Sequence, residues 1–311
     1  LTAPGTLINL AAPVIPGWRI VRPLSSGAQA HTYVVAPADR PHDECGVAKV
    51  MRLTALEGHA LSIEGQRWRM EREVAALESL ARAECPGVVR LLDHGSATAN
   101  TEQGWMVMRR HETAARWFDG VTFCYAERFR GRVTRVMEFT EFLARTLSLM
   151  HGRPQPIVHR DLHLGNVLMD RVGAPPVLAD FGIAHVAGFA GRPEGDPVRS
   201  GAWHWRPPEL DAGDPGSTAS DVFMLGGLVF EALSGGFVLP PAEEWAGRSP
   251  HDTHDHHLGR WTTDARIPMV HRLLHRLLAL DPAERLSADE VAERCREIRL
   301  AGTRRAIPVA A

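Results

Sequence analysis

Ile157-Val158-His159-Arg160-Asp161-Leu162-His163-Leu164-Gly165-Asn166-Val167-Leu168 sets two proton or metal acceptors, Asp161 and Asn166, in a loop bracketed by apolar anchors. Further on comes Asp180-Phe181-Gly182, preceded by Val177-Leu178-Ala179, an apolar run that lifts the aspartate out of a strand end. Residues 156–184 therefore read as strand and loop, and they hold most of the unusual polar side chains.

Upstream, Lys49 is the only lysine, and every other one of the 35 basic residues is arginine. So strong a bias has replaced lysine wherever arginine serves, which marks position 49 as one that rejects it. An ammonium is a compact point charge on a thin stem; a guanidinium is a broad planar fork. Lys49 falls on the last of three strand-like segments, Trp18–Val21, Thr32–Val35 and Val47–Met51. Met70, Val74, Leu77 and Ala81 then recur at helical spacing, with Glu73 on their face and Glu71 and Glu78 on the opposite side. Val88–Leu92 and Trp105–Met108 read as two more strands, which predicts a five-stranded sheet carrying one helix.

Beyond Glu112 the pattern turns helical, over Val133–Met150, Asp221–Leu233 and Met269–Leu280. A last helix opens at Ser287-Ala288-Asp289-Glu290, where serine and glutamate sit at the spacing of a reciprocal cap.

The order and distances of Lys49, the Asp161 loop and the Asp180 motif resemble those of eukaryotic-type serine/threonine protein kinases, in a bacterial style given the arginine bias. The resemblance runs from about Trp18 to Leu300. It implies an α+β, two-lobed protein-kinase fold: an N-terminal extension over 1–15, a small antiparallel lobe over 16–110, a mainly helical lobe over 111–300 and a tail over 301–311. It also implies transfer of the γ-phosphoryl group of Mg·ATP to a protein hydroxyl, with autophosphorylation possible in kind. Lys49 would hold the α/β-phosphates and Glu73 would pair with it; Asp161 would take or orient the hydroxyl proton; Asn166 and Asp180 would carry Mg2+. Ser25, Gly27 and Ala30 would line the phosphate loop, and Met108, Arg109 and His111 the adenine side near the hinge. Gly201–Glu209 resembles the end of an activation segment, Asp221 a brace for the catalytic-loop backbone, and Arg285 a buried partner for Glu209.

Three departures matter. Leu24–Thr32 keeps only Gly27 of the glycines that let backbone amides approach phosphates. His163 stands where the family usually has lysine; neutral imidazole is the weaker phosphate partner, so activity would rise as His163 protonates. Ala202 replaces a threonine. Arg160 before Asp161 is the arrangement of kinases switched by activation-segment phosphorylation, and Ser200 is the one hydroxyl between Asp180 and Glu209.

Two readings stay beside the kinase. A pseudokinase scaffold would explain the eroded loop and His163, though the retained Lys49, Asp161, Asn166 and Asp180 speak against it. A small-molecule phosphotransferase of the aminoglycoside or choline kinase type shares Asp-x-His-x-x-Asn but normally lacks the segment around Glu209 and Arg285.

Composition narrows the rest. With 44% hydrophobic and 23% charged residues and a formal charge of −2, an ordinary soluble globular protein is expected, with no preference for nucleic acid. The four cysteines are too widely spaced for a zinc knuckle or dense disulfides, which points to a reducing cytoplasm. Residues 1–16 lack the basic start of a signal peptide, and no apolar run is long enough to span a bilayer. The cluster at His251–His257 reads as a solvated loop, and His271 with His275 as surface packing rather than a zinc pair.

Overall fold

The computed structural model describes residues 13–26, 30–52, 62–95, 103–113, 132–171, 173–186, 206–234 and 264–301. The chain forms two compact units, one of residues up to Met70 plus Leu91–Arg110, the other of Glu71–Arg90 plus His111 onward.

The first unit is built on an antiparallel five-stranded sheet in the order β1-β2-β3-β5-β4, from β1 (Trp18–Ser26), β2 (Ala30–Pro37), β3 (Gly46–Met51), β4 (Leu91–Gly95) and β5 (Trp105–Arg109). Val35, Ala48, Val50, Trp105 and Val107 close one face as a core with Ile15. The sheet is tightly packed at Gly46, where a Cβ would lie 2.8 Å from Val35 and 2.9 Å from Val107. Trp18 Nε1 donates to Asp93 Oδ2 at 2.9 Å, tying the two edge strands of the sheet together.

Helix α1 (Ile63–Arg82) begins in the first unit and ends in the second. Its register is the one expected: Glu73 is 1% exposed whereas Glu71 faces solvent. The strand expected over Val88–Leu92 is displaced, because β4 starts only at Leu91. Gly87 takes a left-handed φ of +76°, and its neighbours spend their hydrogen bonds elsewhere. Val89 N–H donates to Leu178 O and Leu178 N–H to Gly87 O, each at 2.8 Å.

The second unit is mainly helical. Helices α2 (Val133–His151), α4 (Thr218–Ser234), α5 (Ile267–Leu277) and α6 (Ala288–Ala301) pack around Met137, Leu143, Leu147, Leu225, Val229 and Leu274, and the short α3 (Pro208–Asp211) precedes α4. Gly226 lets α4 approach α5 closely; a Cβ there would sit 2.8 Å from that of Leu277. Helix α5 stops at Leu277 rather than Leu280. The reciprocal cap of α6 forms as expected, with Ser287 N–H donating to Glu290 Oε2 at 2.7 Å and Glu290 N–H to Ser287 Oγ at 3.3 Å. Three short strands, β6 (Glu112–Thr113), β8 (Val167–Met169) and β9 (Val177–Leu178), form one small sheet; β7 (Ile157–Val158) and β10 (His185–Val186) form another. The α+β architecture read from the sequence is thus present, and these small sheets frame the polar loop.

Candidate active site

The loop after β7 is held from below by Asp221. Its wholly buried carboxylate accepts from His159 N–H through Oδ2 and from Arg160 N–H through Oδ1, both at 2.8 Å. His151 Nε2 lies 2.9 Å from the same Oδ2. Burial pushes the Asp221 carboxyl up, but the His151 hydrogen bond and the charges and backbone amides around it prevail and hold it below the ordinary aspartate range. This brace matters because Arg160 sits at φ +67°, in the left-handed region that non-glycine residues enter at a cost of about 1–3 kcal/mol. Asp180 is also left-handed, at φ +62°. Two such residues flanking one constellation are a feature of sites where geometry is imposed on the backbone.

His159 joins the two halves of the constellation. Its Nε2–H donates to Ala179 O at 3.0 Å, its Nδ1 accepts from Asp161 N–H at 3.3 Å, and its ring lies 4.7 Å from that of Phe181. Ala179 N–H in turn donates to Asn166 O at 2.9 Å. Asn166 Nδ2 donates to Asp161 O at 2.9 Å and to Asp161 Oδ2 at 3.0 Å. Glu73 Oε1 accepts from Phe181 N–H at 3.3 Å. The second unit alone therefore gathers Asp161, His163, Asn166, Glu73 and the segment that carries Asp180.

His163 caps the single 3-10 turn Leu164–Asn166, with Nδ1 accepting from Gly165 N–H at 3.1 Å. Burial pushes its imidazole down; Asp161 pulls it up, His159 pushes it down and Asp180 pulls it up, and the balance falls below the ordinary histidine value. Protonation of Nδ1 would also break the cap on Gly165, in keeping with that direction.

Among oxygen ligands, Asn166 and Asp180 fit a hard divalent cation. With Nδ2 committed to Asp161, Asn166 is left with its Oδ1 as an acceptor, and Asp180 supplies a carboxylate.

The remaining expected residues belong to the first unit or to its connection. Lys49 lies half-buried on β3, opposite Thr32 on β2 and Met106 on β5. Ser25 donates its N–H to Thr32 Oγ1 at 3.1 Å, and Ala30 opens β2 as a buried residue. Met108 is partly buried in β5 and Arg109 is exposed at its end. His111 belongs to the second unit, where its Nδ1 lies 2.7 Å from Asp170 Oδ1. Gly27, Ser200, Gly201–Trp205 and His251–His257 lie outside the described residues.

Downstream, Arg285 and Glu209 meet as expected, Nη1 on Oε1 at 2.6 Å and Nη2 on Oε2 at 2.8 Å. Two contributors went unassigned in the sequence. His151 carries no local signal, since its partner Asp221 is far along the chain. His185 lies near Arg160 and Arg72; burial first, then these two guanidinium charges, push its imidazole down.

Comparison with known proteins agrees with this geometry. The family model described as the protein kinase domain matches residues 44–295. The serine/threonine-protein kinase PknA of Mycobacterium tuberculosis is 29% identical over 170 residues, 53% of this chain and 37% of the relative. PkaB of Streptomyces coelicolor, also a serine/threonine-protein kinase, is 30% identical over 155 residues, 46% and 34% respectively. The receptor protein-tyrosine kinase CEPR1 of Arabidopsis thaliana is 28% identical over 150 residues, 47% of this chain and 14% of the relative. The chain thus spans well under half the length of these relatives. Since the domain model covers well over half of the chain, the chain belongs to the protein kinase domain family.

Proposed function

We propose that this protein transfers the γ-phosphoryl group of ATP to a serine or threonine hydroxyl of a protein, itself included, with Mg2+ held by Asn166 and Asp180. The observation that carries the reading is the Asp161 carboxylate, fixed by Asn166 at one oxygen and by the braced loop at its backbone. The substrate hydroxyl gives its proton to Asp161 as its oxygen bonds to the γ-phosphorus, and the bond to the bridging oxygen of ADP breaks. Bound magnesium would neutralise charge on the phosphates. Lys49 would pair with the α/β-phosphates and Glu73 would orient it; Ser25, Gly27 and Ala30 would cover the phosphates, and Met108, Arg109 and His111 would border the adenine. The free thiols Cys45, Cys85 and Cys295 suit a reducing, cytoplasmic setting, and no helix among the described residues is long and apolar enough to cross a membrane. Proximity of Arg160 and Arg72 to His185 supports a second element, a switch in which phosphorylated Ser200 engages the two guanidinium groups.

The test is incubation with radiolabelled ATP, magnesium and a generic acceptor protein. Label in the acceptor or the enzyme is expected, falling by about 100-fold or more in Asp161→Asn and likewise lost in Lys49→Arg and Asp180→Ala. Absence of label from both proteins, with Asp180→Ala indistinguishable from the parent, would instead establish a scaffold. ATP consumed only with an alcohol-bearing metabolite would establish a small-molecule kinase.

A further inference from the structure

A cavity of about 500 Å3 opens within the second unit, between the end of α2, the start of α4 and the turn that leads into α6. None of Asp161, Asn166 and Asp180 lines it; Ser148 and His151 do so from α2, Thr218 and Val222 from α4, and Leu286 and Asp289 from the α6 end. The His151 side chain is 9% exposed, and its two ring nitrogens have different fates. Nε2 lies 2.9 Å from Asp221 Oδ2, and an ionised carboxylate can only accept, so the uncharged ring carries its proton there. Nδ1 then holds a lone pair. It has no hydrogen-bond partner among the described residues, yet it is not sealed in packing, which leaves it facing the cavity that the ring lines. A nearly buried acceptor so placed calls for a donor.

The walls tell against an anion. Arg285 is the one arginine or lysine among the described lining residues, and its N–H groups are spent on Glu209 and on the Ala219, Ala279 and Leu280 carbonyls. The amide end of α6 already faces Glu290, whose Oε2 takes Ser287 N–H at 2.7 Å, and Arg276 and Arg294 stand near that carboxylate. Asp289, by contrast, is exposed and makes no hydrogen bond or ion pair with a described residue. What the cavity offers is this carboxylate, the Ser148 and Thr218 hydroxyls and the Nδ1 lone pair, beside the apolar surfaces of Val222 and Leu286.

We infer that this cavity binds a metabolite-sized organic ammonium ion, which donates to His151 Nδ1 and sets its charge against Asp289, and that its occupancy secures the Asp221 brace. The apolar body of such an ion rests on Val222 and Leu286. The volume falls in the range of about 300–1,000 Å3 usual for small-molecule sites, and a single lysine side chain from a partner protein would leave most of it unfilled. A ligand on Nδ1 holds the ring by both nitrogens and so fixes it on Asp221, whose oxygens take the His159 and Arg160 amides at 2.8 Å. An ion that binds only the braced form stabilises that form by mass action. The link involves no nucleotide and no phosphoryl transfer, so it stands or falls apart from the proposed activity.

The experiment titrates the full chain, labelled with 15N-histidine, with benzylamine, benzyl alcohol and benzoate, probes of one shape and three charges. The His151 resonances are assigned by their loss in His151→Gln. Benzylamine should shift His151 Nδ1 saturably, with a Kd of about millimolar or tighter, benzyl alcohol should bind more weakly, and benzoate should leave the resonance unmoved. 1-Aminobutane, which has the size of a lysine side chain, should also bind more weakly than benzylamine. Ser148→Phe, which fills the cavity, should abolish the shift. Asp289→Asn should weaken benzylamine about 2- to 5-fold, and because Asp289 is exposed this variant tests the site even if Ser148→Phe does not fold. With benzylamine at about ten times its Kd, exchange of the His159 and Arg160 amides should slow about 10-fold, read by mass spectrometry of peptides spanning residues 157–162. No saturable shift at Nδ1, benzoate binding as tightly as benzylamine, 1-aminobutane binding more tightly than benzylamine, parental affinity in the folded variants, or unaltered exchange of the two amides would each overturn the inference.

Discussion

Replacing Arg285 with methionine keeps the volume and the thin stem but removes every donor of one of the most heavily used side chains in the second unit. The Arg285 side chain is fully buried and donates from Nε to Ala279 O at 2.8 Å, from Nη1 to Glu209 Oε1 at 2.6 Å and to Ala219 O at 3.0 Å, and from Nη2 to Glu209 Oε2 at 2.8 Å and to Leu280 O at 3.2 Å. Its guanidinium also lies 4.8 Å from the Phe223 ring centroid. The variant leaves a mostly buried carboxylate with Ser220 Oγ, at 2.8 Å, and its own backbone amide as the remaining hydrogen-bond donors. Breaking a buried pair from one side costs about 3–5 kcal/mol, whereas replacing both partners by apolar groups costs far less. Urea unfolding followed by tryptophan fluorescence should therefore show Arg285→Met losing about 3–5 kcal/mol and the double variant with Glu209→Leu recovering much of it.

The pH dependence supplies an independent sign. Burial pushes Glu209 up, yet the Arg285 hydrogen bonds with the backbone and Ser220 prevail, so its folded pKa lies below its unfolded one. Such a carboxylate stabilises the fold above the unfolded pKa, and the contribution drains away as pH falls through the folded value. Without Arg285, burial dominates and the order reverses, so the variant gains when Glu209 takes up a proton. The stability gap between parent and Arg285→Met should narrow steadily from near neutral pH toward about pH 4. A gap below about 1 kcal/mol at neutral pH, or a double variant no better than the single one, would refute the account.

Gly87→Ala is expected to cost about 2–4 kcal/mol in the same unfolding assay, because φ is +76° and the new Cβ would lie 2.1 Å from Thr146 Oγ1 and 2.9 Å from Phe142 Cε1. Burial pushes the Cys295 thiol far up, with Glu141 adding to it, so iodoacetamide at neutral pH should leave Cys295 unmodified in native protein while labelling it in urea, as read by mass spectrometry.

The sequence was most legible where periodicity and local chemistry agree. Glu73 could be placed inward because Met70 and Leu77 share its face, and the cap of α6 could be named because Ser287 and Glu290 are neighbours in sequence. The pair Arg285 and Glu209 came from resemblance, and its geometry follows from the planar fork of arginine meeting a carboxylate. What escaped were outcomes of tertiary competition. Val88 and Val89 look like strand residues, and are β-paired, but with Leu178 rather than with β5, because Gly87 turns the chain there. His151 could not be found from any spacing, since its use depends on Asp221 being folded against it. The downward shift of the His163 imidazole was not legible, because sequence shows neither the burial of the ring nor the amide that it caps.

The double backbone contact of Leu178 with Gly87 and Val89 carries a mechanical implication. Leu178 is clamped by its own N–H and C=O to the turn that follows α1, while its chain continues within two residues to Asp180. A pull on that turn is thus relayed along covalent bonds to Asp180, as through a splint, with no side chain needed to convey it.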